Sequence, residues 1–211
     1  DMYRYRDFFK DRIKRQFIFF NTSIHFSVMF LGPLFSIYIL RTMSLGYMVL
    51  TLCMVSWWIG NVFSLRFWGK SSKRYGNLYI LKMTTLVMCV LPGLWISVYY
   101  LGGTERVLAS IIINILAGIT FSGFGLSAFN MLYEISDKQE VVKYSSLVNF
   151  LKGIGVFIGS VSAGSIVDSQ YLIELALEYN STSIQLSMAI SILLRSLSML
   201  FLRRVDISRA G

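Results

Sequence analysis

The chain has 211 residues, of which 55% are hydrophobic and only 15% charged, and its mean hydropathy is +0.61; a soluble domain carries nearer a quarter charged residues, about 25%. Its net charge of +9 is not the mark of a nucleic-acid partner, because the basic residues cluster in short segments (4–15, 66–82 and 203–209) between long uncharged runs, as in loops that hold membrane topology. Cys53 and Cys89 lie inside apolar runs and His25 is the one histidine, so no metal-ligand spacing is present and neither a metal nor a cofactor is expected.

Residues 1–16 read as a basic cytoplasmic lead-in, and residues 17–202 as a bundle of six transmembrane helices. The spans are expected at 17–40, 42–65, 79–101, 107–133, 144–167 and 183–202, each near or above the roughly 18 apolar residues that mark a crossing. The third is placed over an uncharged run at 83–104, while Lys152 interrupts the fifth and Arg195 the sixth. Residues 203–211 form a tail. The loop at 168–182 has Tyr171, Leu172, Ile173, Leu175 and Leu177 at spacings that suit a short interfacial helix.

Orientation follows from the Lys and Arg of the short loops. Six precede the first span, Lys70, Lys73, Arg74 and Lys82 lie between spans two and three, and Lys138 and Lys143 between spans four and five; the opposite side offers only Arg41 and Arg106. Both termini are thus expected in the cytoplasm, in a multi-pass protein of the cell membrane surrounded by lipid. The opening residues lack the pattern of a signal peptide, and Asp1 in place of Met suggests a piece of something longer.

Polar groups in hydrocarbon are costly, so their angular placement shows which helix face meets protein or water. In span one, Asn21, His25, Gly32 and Ser36 fall within about 60° of one another at 100° per residue. This stripe reads as the wall of an aqueous cavity, with His25 as a proton acceptor or solute contact; the other reading is a histidine hydrogen-bonded to a neighbouring helix. In span four Ser110, Asn114, Gly118, Ser122 and Gly125 form a comparable stripe, and Gly123, Ser127, Asn130 and Glu134 another. Small residues on such faces also serve close helix packing, the favoured reading for Gly60 in span two and for Gly155 and Gly159 in span five. Lys152 is near enough to its helix end to snorkel or to pair with Glu134. Arg195 lies eight residues from Arg203, about 12 Å, too far for snorkelling to satisfy it fully.

An offset of 93 residues lays span one on span four and brings Asn21 onto Asn114, Gly32 onto Gly125 and Gly60 onto Gly153, compatible with an inverted 3+3 repeat. No Ser/His/Asp set and no pair of carboxylates lies inside any span, so an enzyme is not expected.

The segment Phe67-Trp68-Gly69-Lys70-Ser71-Ser72-Lys73-Arg74-Tyr75-Gly76-Asn77 resembles the loop signature of the major facilitator superfamily, Gly-x-x-x-Asp-Arg-x-Gly. Gly69, Arg74 and Gly76 match, with Lys73 at the acidic position. Residues 128–164 are similar to the tenth and eleventh helices of bacterial members. The resemblance implies an all-α major facilitator half, the C-terminal one, partnered by a missing N-terminal six-helix half. It implies secondary transport of a small solute by alternating access, with protons among the candidate coupling ions. Spans one and four would line the substrate cavity through Asn21, His25, Ser36, Asn114 and Ser122, and spans two and five would face the missing half. Gly69, Lys73, Arg74, Gly76 and Glu134 would form the cytoplasmic gating latch. The cavity faces of spans one and four carry no acid, which disfavours a cationic solute unless the other half supplies one. The alternative is a six-helix scaffold or receptor that transports nothing.

Overall fold

A computed structural model describes residues 8–178 and 181–203. Of the expected segments, residues 1–7 of the lead-in and 204–211 of the tail lie outside the described residues. The helices are α1 (Arg12–Met29), α2 (Gly32–Ile37), α3 (Gly46–Tyr75), α4 (Asn77–Tyr99), α5 (Gly103–Ile135), α6 (Val141–Val167), α7 (Gln170–Glu178) and α8 (Ser183–Arg203). There is no strand among the described residues. Six segments are long and apolar enough to cross a membrane, with α1 and α2 together making the first. The protein is therefore a multi-pass membrane protein whose apolar helices contact lipid. Side chains such as Trp58 and Phe63 on α3 and Phe150 and Phe157 on α6 stand exposed, where hydrocarbon or another apolar helix can cover them.

Two boundaries differ from the sequence expectation. The first span is not one helix over 17–40. Pro33 has no N–H to give to Met29 O, the Leu34 N–H turns instead to Leu31 O at 3.0 Å, and the chain breaks between α1 and α2. It then widens into a π-helical turn at Tyr38–Thr42 before α3. The second difference is the expected loop after span two, which is almost absent. Helix α3 runs on through Gly69, Lys73 and Arg74 to Tyr75, and the whole connection to α4 is Gly76, whose φ of +83° is a conformation that favours glycine. Charged residues there extend the helix beyond the apolar stretch because Lys and Arg are good helix formers once outside the hydrocarbon. At the opposite end the 168–182 segment carries the short helix α7, which buries Leu172 and Ala176.

The principal contacts run in one series, in which α6 packs on α1, α1 on α8, α8 on α4, α4 on α5 and α5 on α3. One core, with Phe17, Phe20, Leu81, Phe124 and Tyr144, lies toward the end that carries both described termini; the other, with Tyr38, Leu91, Trp95, Ile113 and Ala163, lies toward the far end. The outermost pairs of the series are held by glycine against backbone. A Cβ on Gly60 of α3 would run into Ile115 O, and one on Gly118 of α5 into Trp57 O. In the other pair, a Cβ on Gly155 of α6 would sit 2.6 Å from Thr22 O, and one on Gly159 would meet Phe26 O. Hydrocarbon supplies no hydrophobic drive between helices, so this backbone-to-backbone approach supplies much of the attraction through close van der Waals contact.

Gly118→Val should therefore push α5 from α3 and destabilise the bundle by roughly 1–3 kcal/mol or more, since the obstruction is backbone and cannot swing aside. Gly125→Ala, where nothing lies within 4 Å, should be neutral or slightly stabilising by the better helix propensity of Ala. Melting temperatures of the two variants in detergent check the pair. Equal behaviour would mean that the glycine contact contributes nothing.

Candidate functional site

Helices α1 and α5 each touch several neighbours and leave one face toward a groove flanked by α3 and α6. At the terminal end of this groove is a cavity of about 400 Å³, lined among others by Asn21, His25, Asn61, Asn149 and Lys152, with Phe121 at its inner wall. A second cavity, of about 290 Å³, lies further toward the opposite end and is lined among others by Gly32, Trp57, Pro92, Asn114 and Arg195. Phe121 lines both, and a third cavity of about 300 Å³ shares His25 and Lys152 with the first and Met29 with the second. The three adjoin around Phe121 and are together termed the tract.

The polar residues on α1 and α5 reach this tract by helical periodicity. Asn21 and His25 are one turn apart, and His25 Nδ1 lies 2.8 Å from Asn21 O. A carbonyl only accepts, so Nδ1 carries the proton and Nε2 is left as the acceptor. Asn21 Nδ2 donates to Phe17 O at 3.3 Å and Asn114 Nδ2 to Ser110 O at 2.9 Å, so both asparagines bond back to the previous turn of their own helix. The His25 ring also sits 5.7 Å from the Phe124 ring.

Ser36 and Ser122 line none of these three cavities. Ser36 belongs to α2, beyond the break, so a stripe extrapolated at a constant 100° per residue does not carry through to it. Ser122 lies about 80° round α5 from Asn114, and its buried hydroxyl has no hydrogen-bond partner. The periodicity did not point to Trp57, Asn61, Phe121 or Asn149. The aromatics are apolar and carried no polar signal, and Asn61 and Asn149 lie on spans whose glycines drew the packing reading. Lys152 and Arg195, noticed as interruptions of their spans, both line the tract.

Lys152 does not pair with Glu134. It makes no hydrogen bond or ion pair among the described residues, and the Glu134 carboxylate instead accepts from Asn77 Nδ2 at 2.5 Å. Asn77 follows Gly76, and its Oδ1 accepts from Asn130 at 3.0 Å and from the Ser72 hydroxyl. The end of α3, the start of α4 and the end of α5 are thereby tied through one amide. Lys73 and Arg74 are exposed and stand outside this knot, with the Arg74 guanidinium 5.2 Å from the Tyr75 ring. At the same end Lys14 pairs with Glu140 at 3.1 Å, and the Tyr144 hydroxyl donates to Lys14 O at 2.9 Å, joining α1 to α6.

Arg195 meets an interrupted helix. Pro92 lies inside α4 and has no N–H for Met88 O; Arg195 Nη1 donates to that carbonyl at 2.6 Å. The break in α1 has a similar answer. Leu31 N–H bonds Val28 O rather than Ser27 O, and Ser191 Oγ donates to Ser27 O at 2.8 Å.

No protein-family model, curated protein or solved structure matches the chain. Among the described residues no cluster of three or more His, Cys, Asp or Glu side chains is placed to hold a metal. Both cysteines are free and buried. What the tract offers chemically is two cations, one histidine, amide groups and aromatic faces, without an acid on its lining.

Lys152→Met should leave the melting temperature unchanged or raise it, because it removes a half-buried cation with no partner and keeps the stem that packs along the helix. A fall of several degrees in the same thermal assay would show that Lys152 is a structural residue.

Proposed function

We propose that the chain is one half of a secondary transporter of the major facilitator kind, carrying a small solute by alternating access, with both termini in the cytoplasm of a cell-membrane protein. The observation that carries this reading is the order of helix contacts. Number the six crossings in chain order and the series runs five, one, six, three, four, two. Exchanging the first three crossings for the last three turns it into its own reverse, which is what an inverted 3+3 repeat requires.

Details at related positions support the exchange. Gly60 against Ile115 O in one outer pair has a counterpart in Gly155 against Thr22 O in the other; residues 115 and 22 are 93 apart, while Gly155 stands two residues beyond Gly153, the position the same offset pairs with Gly60. Asn21 and Asn114, also 93 apart, make the same bond to the preceding turn. The exchange puts spans one and four at equivalent places beside the groove and spans two and five on its flanks. A groove open along one side is one wall of a cavity, and a second six-helix bundle, the N-terminal half, would close it. The Asn77 knot then serves as the latch at the cytoplasmic end, with glutamate reached through an amide where the family signature would use its acid.

Two measurements test the reading. Lys73 and Tyr100 are exposed at opposite ends of the bundle. In intact cells a membrane-impermeant maleimide should label Tyr100→Cys directly and Lys73→Cys only after permeabilisation; the reverse pattern defeats the orientation. In liposomes carrying the full-length protein, a panel of labelled solutes should include one whose uptake Ala128→Trp lowers about tenfold or more by filling the groove, at an unchanged melting temperature. Absence of flux for every solute class would remove transport and leave a scaffold or receptor.

A further inference from the structure

Resting on the reading of the groove as a solute site, we propose that its second cavity takes an organic monocarboxylate, with the Arg195 guanidinium as the partner of the carboxylate. Arg195 is 4% exposed and lines the cavity of about 290 Å³. One of its N–H groups donates to Met88 O, and its Nε is buried with no hydrogen-bond partner among the described residues. A guanidinium has five N–H donors in a planar fork that suits a carboxylate.

Capping a carbonyl does not call for a cation. Ser191, one turn away on the same helix, performs that service for Ser27 O with a neutral hydroxyl. The charge at position 195 therefore exceeds what the interrupted α4 needs, and a buried cation without a counter-ion is costly. Among the described residues the tract has no counter-ion. Every acidic residue of the chain lies outside the stretches 12–104, 106–133, 141–167 and 179–205, and none of the described ones lines any of the three adjoining cavities. A ligand anion fills that role.

The rest of the lining sets the size and character of the ligand. Trp57, Trp95, Phe35, Phe121 and Leu91 surround the space, and Asn114 is the one uncharged polar side chain on it. Such a site matches a molecule with one charged end and an apolar body, and it offers nothing to the second charge of a dicarboxylate or a phosphate ester. The adjoining larger cavity carries Lys152, also without an ion pair among the described residues, beside His25. Two cations along one low-dielectric tract draw anions inward and repel cations.

Benzoate and its neutral isostere benzamide are suitable probes, read by equilibrium binding to the full-length protein in detergent. Benzoate should bind at least about tenfold more tightly than benzamide, the difference expected of a charge-assisted fork. Arg195→Gln alone endangers folding because it leaves Met88 O bare, so the substitution is also made on a Pro92→Ala background, which returns an N–H to that carbonyl. Relative to the Pro92→Ala parent, Arg195→Gln should lower benzoate affinity about tenfold or more and leave benzamide unmoved, while Arg195→Lys keeps part of the preference. Equal affinity for the two probes, absence of benzoate binding to the unaltered protein, or full benzoate affinity in a folded Pro92→Ala/Arg195→Gln protein would each overturn the proposal. If the double variant does not fold, the benzoate-to-benzamide ratio of the unaltered protein decides. Binding without flux in liposomes would leave this site standing and remove transport; flux of a neutral solute without benzoate binding would do the opposite.

Discussion

A backbone carbonyl held in hydrocarbon has no water to turn to, so wherever a proline takes away its donor some other group must supply one. The chain has two prolines, and α8 caps one carbonyl near each. Ser191 reaches Ser27 O, whose usual donor Leu31 has turned to Val28 O, and Arg195 reaches Met88 O, which Pro92 leaves without a donor. Ser191 and Arg195 are four apart and so share a helix face, which fixes how α8 is rotated and how far along α1 and α4 it can slide. The neighbour relations of α8 in the bundle follow from that registration. So does the second cavity, because a helix that stops and restarts cannot fill the space a continuous helix would occupy.

The outer helices are positioned by a different device with the same logic. Gly60, Gly118, Gly155 and Gly159 let backbone meet backbone, so α3 lies tightly on α5 and α6 on α1 at those positions, while Trp68 of α3, bonded to Ile119 O, and Tyr144 of α6, bonded to Lys14 O, fill the same seams nearer the terminal end. Other bulky residues, Trp58, Phe63, Phe150 and Phe157, stand on the outward faces. The result is a bundle whose central helices α1 and α5 are clasped on one side and open on the other. Asn21, His25 and Asn114 are found along the open side, while Ser27, Ser122 and Ser127 lie off it.

Much of this arrangement was legible in the sequence. Six crossings followed from the length of the uncharged runs, and the placement of Asn21, His25 and Asn114 followed from a period of 3.6, because α1 and α5 are continuous over those residues. Legibility ended where continuity ended. Ser36 lay beyond a break that Pro33 alone announces, and the residues that face the tract from α3 and α6 are Trp57, Asn61 and Asn149, whose neighbours in sequence are the glycines that signalled packing. The loop expected around Gly69 and Arg74 was a helix extension, because hydropathy reports where a span leaves the apolar medium and not where its hydrogen bonds stop.

The two basic residues inside the spans show how the same observation changes weight when partners are known. In a sequence, Lys152 and Arg195 are interruptions, and snorkelling or pairing with a neighbouring acid are economical explanations for both. Once Glu134 is seen engaged with Asn77, Lys152 has lost its nearest candidate acid, and once Ser191 is seen to cap a carbonyl unaided, Arg195 has more charge than its structural task requires. An unbalanced cation on a fully solvated surface would mean little. In a tract with no acid on its walls it sets the sign of the proposed ligand: a cation would add to the repulsion, a neutral molecule would leave the guanidinium unbalanced, and an anion would balance it.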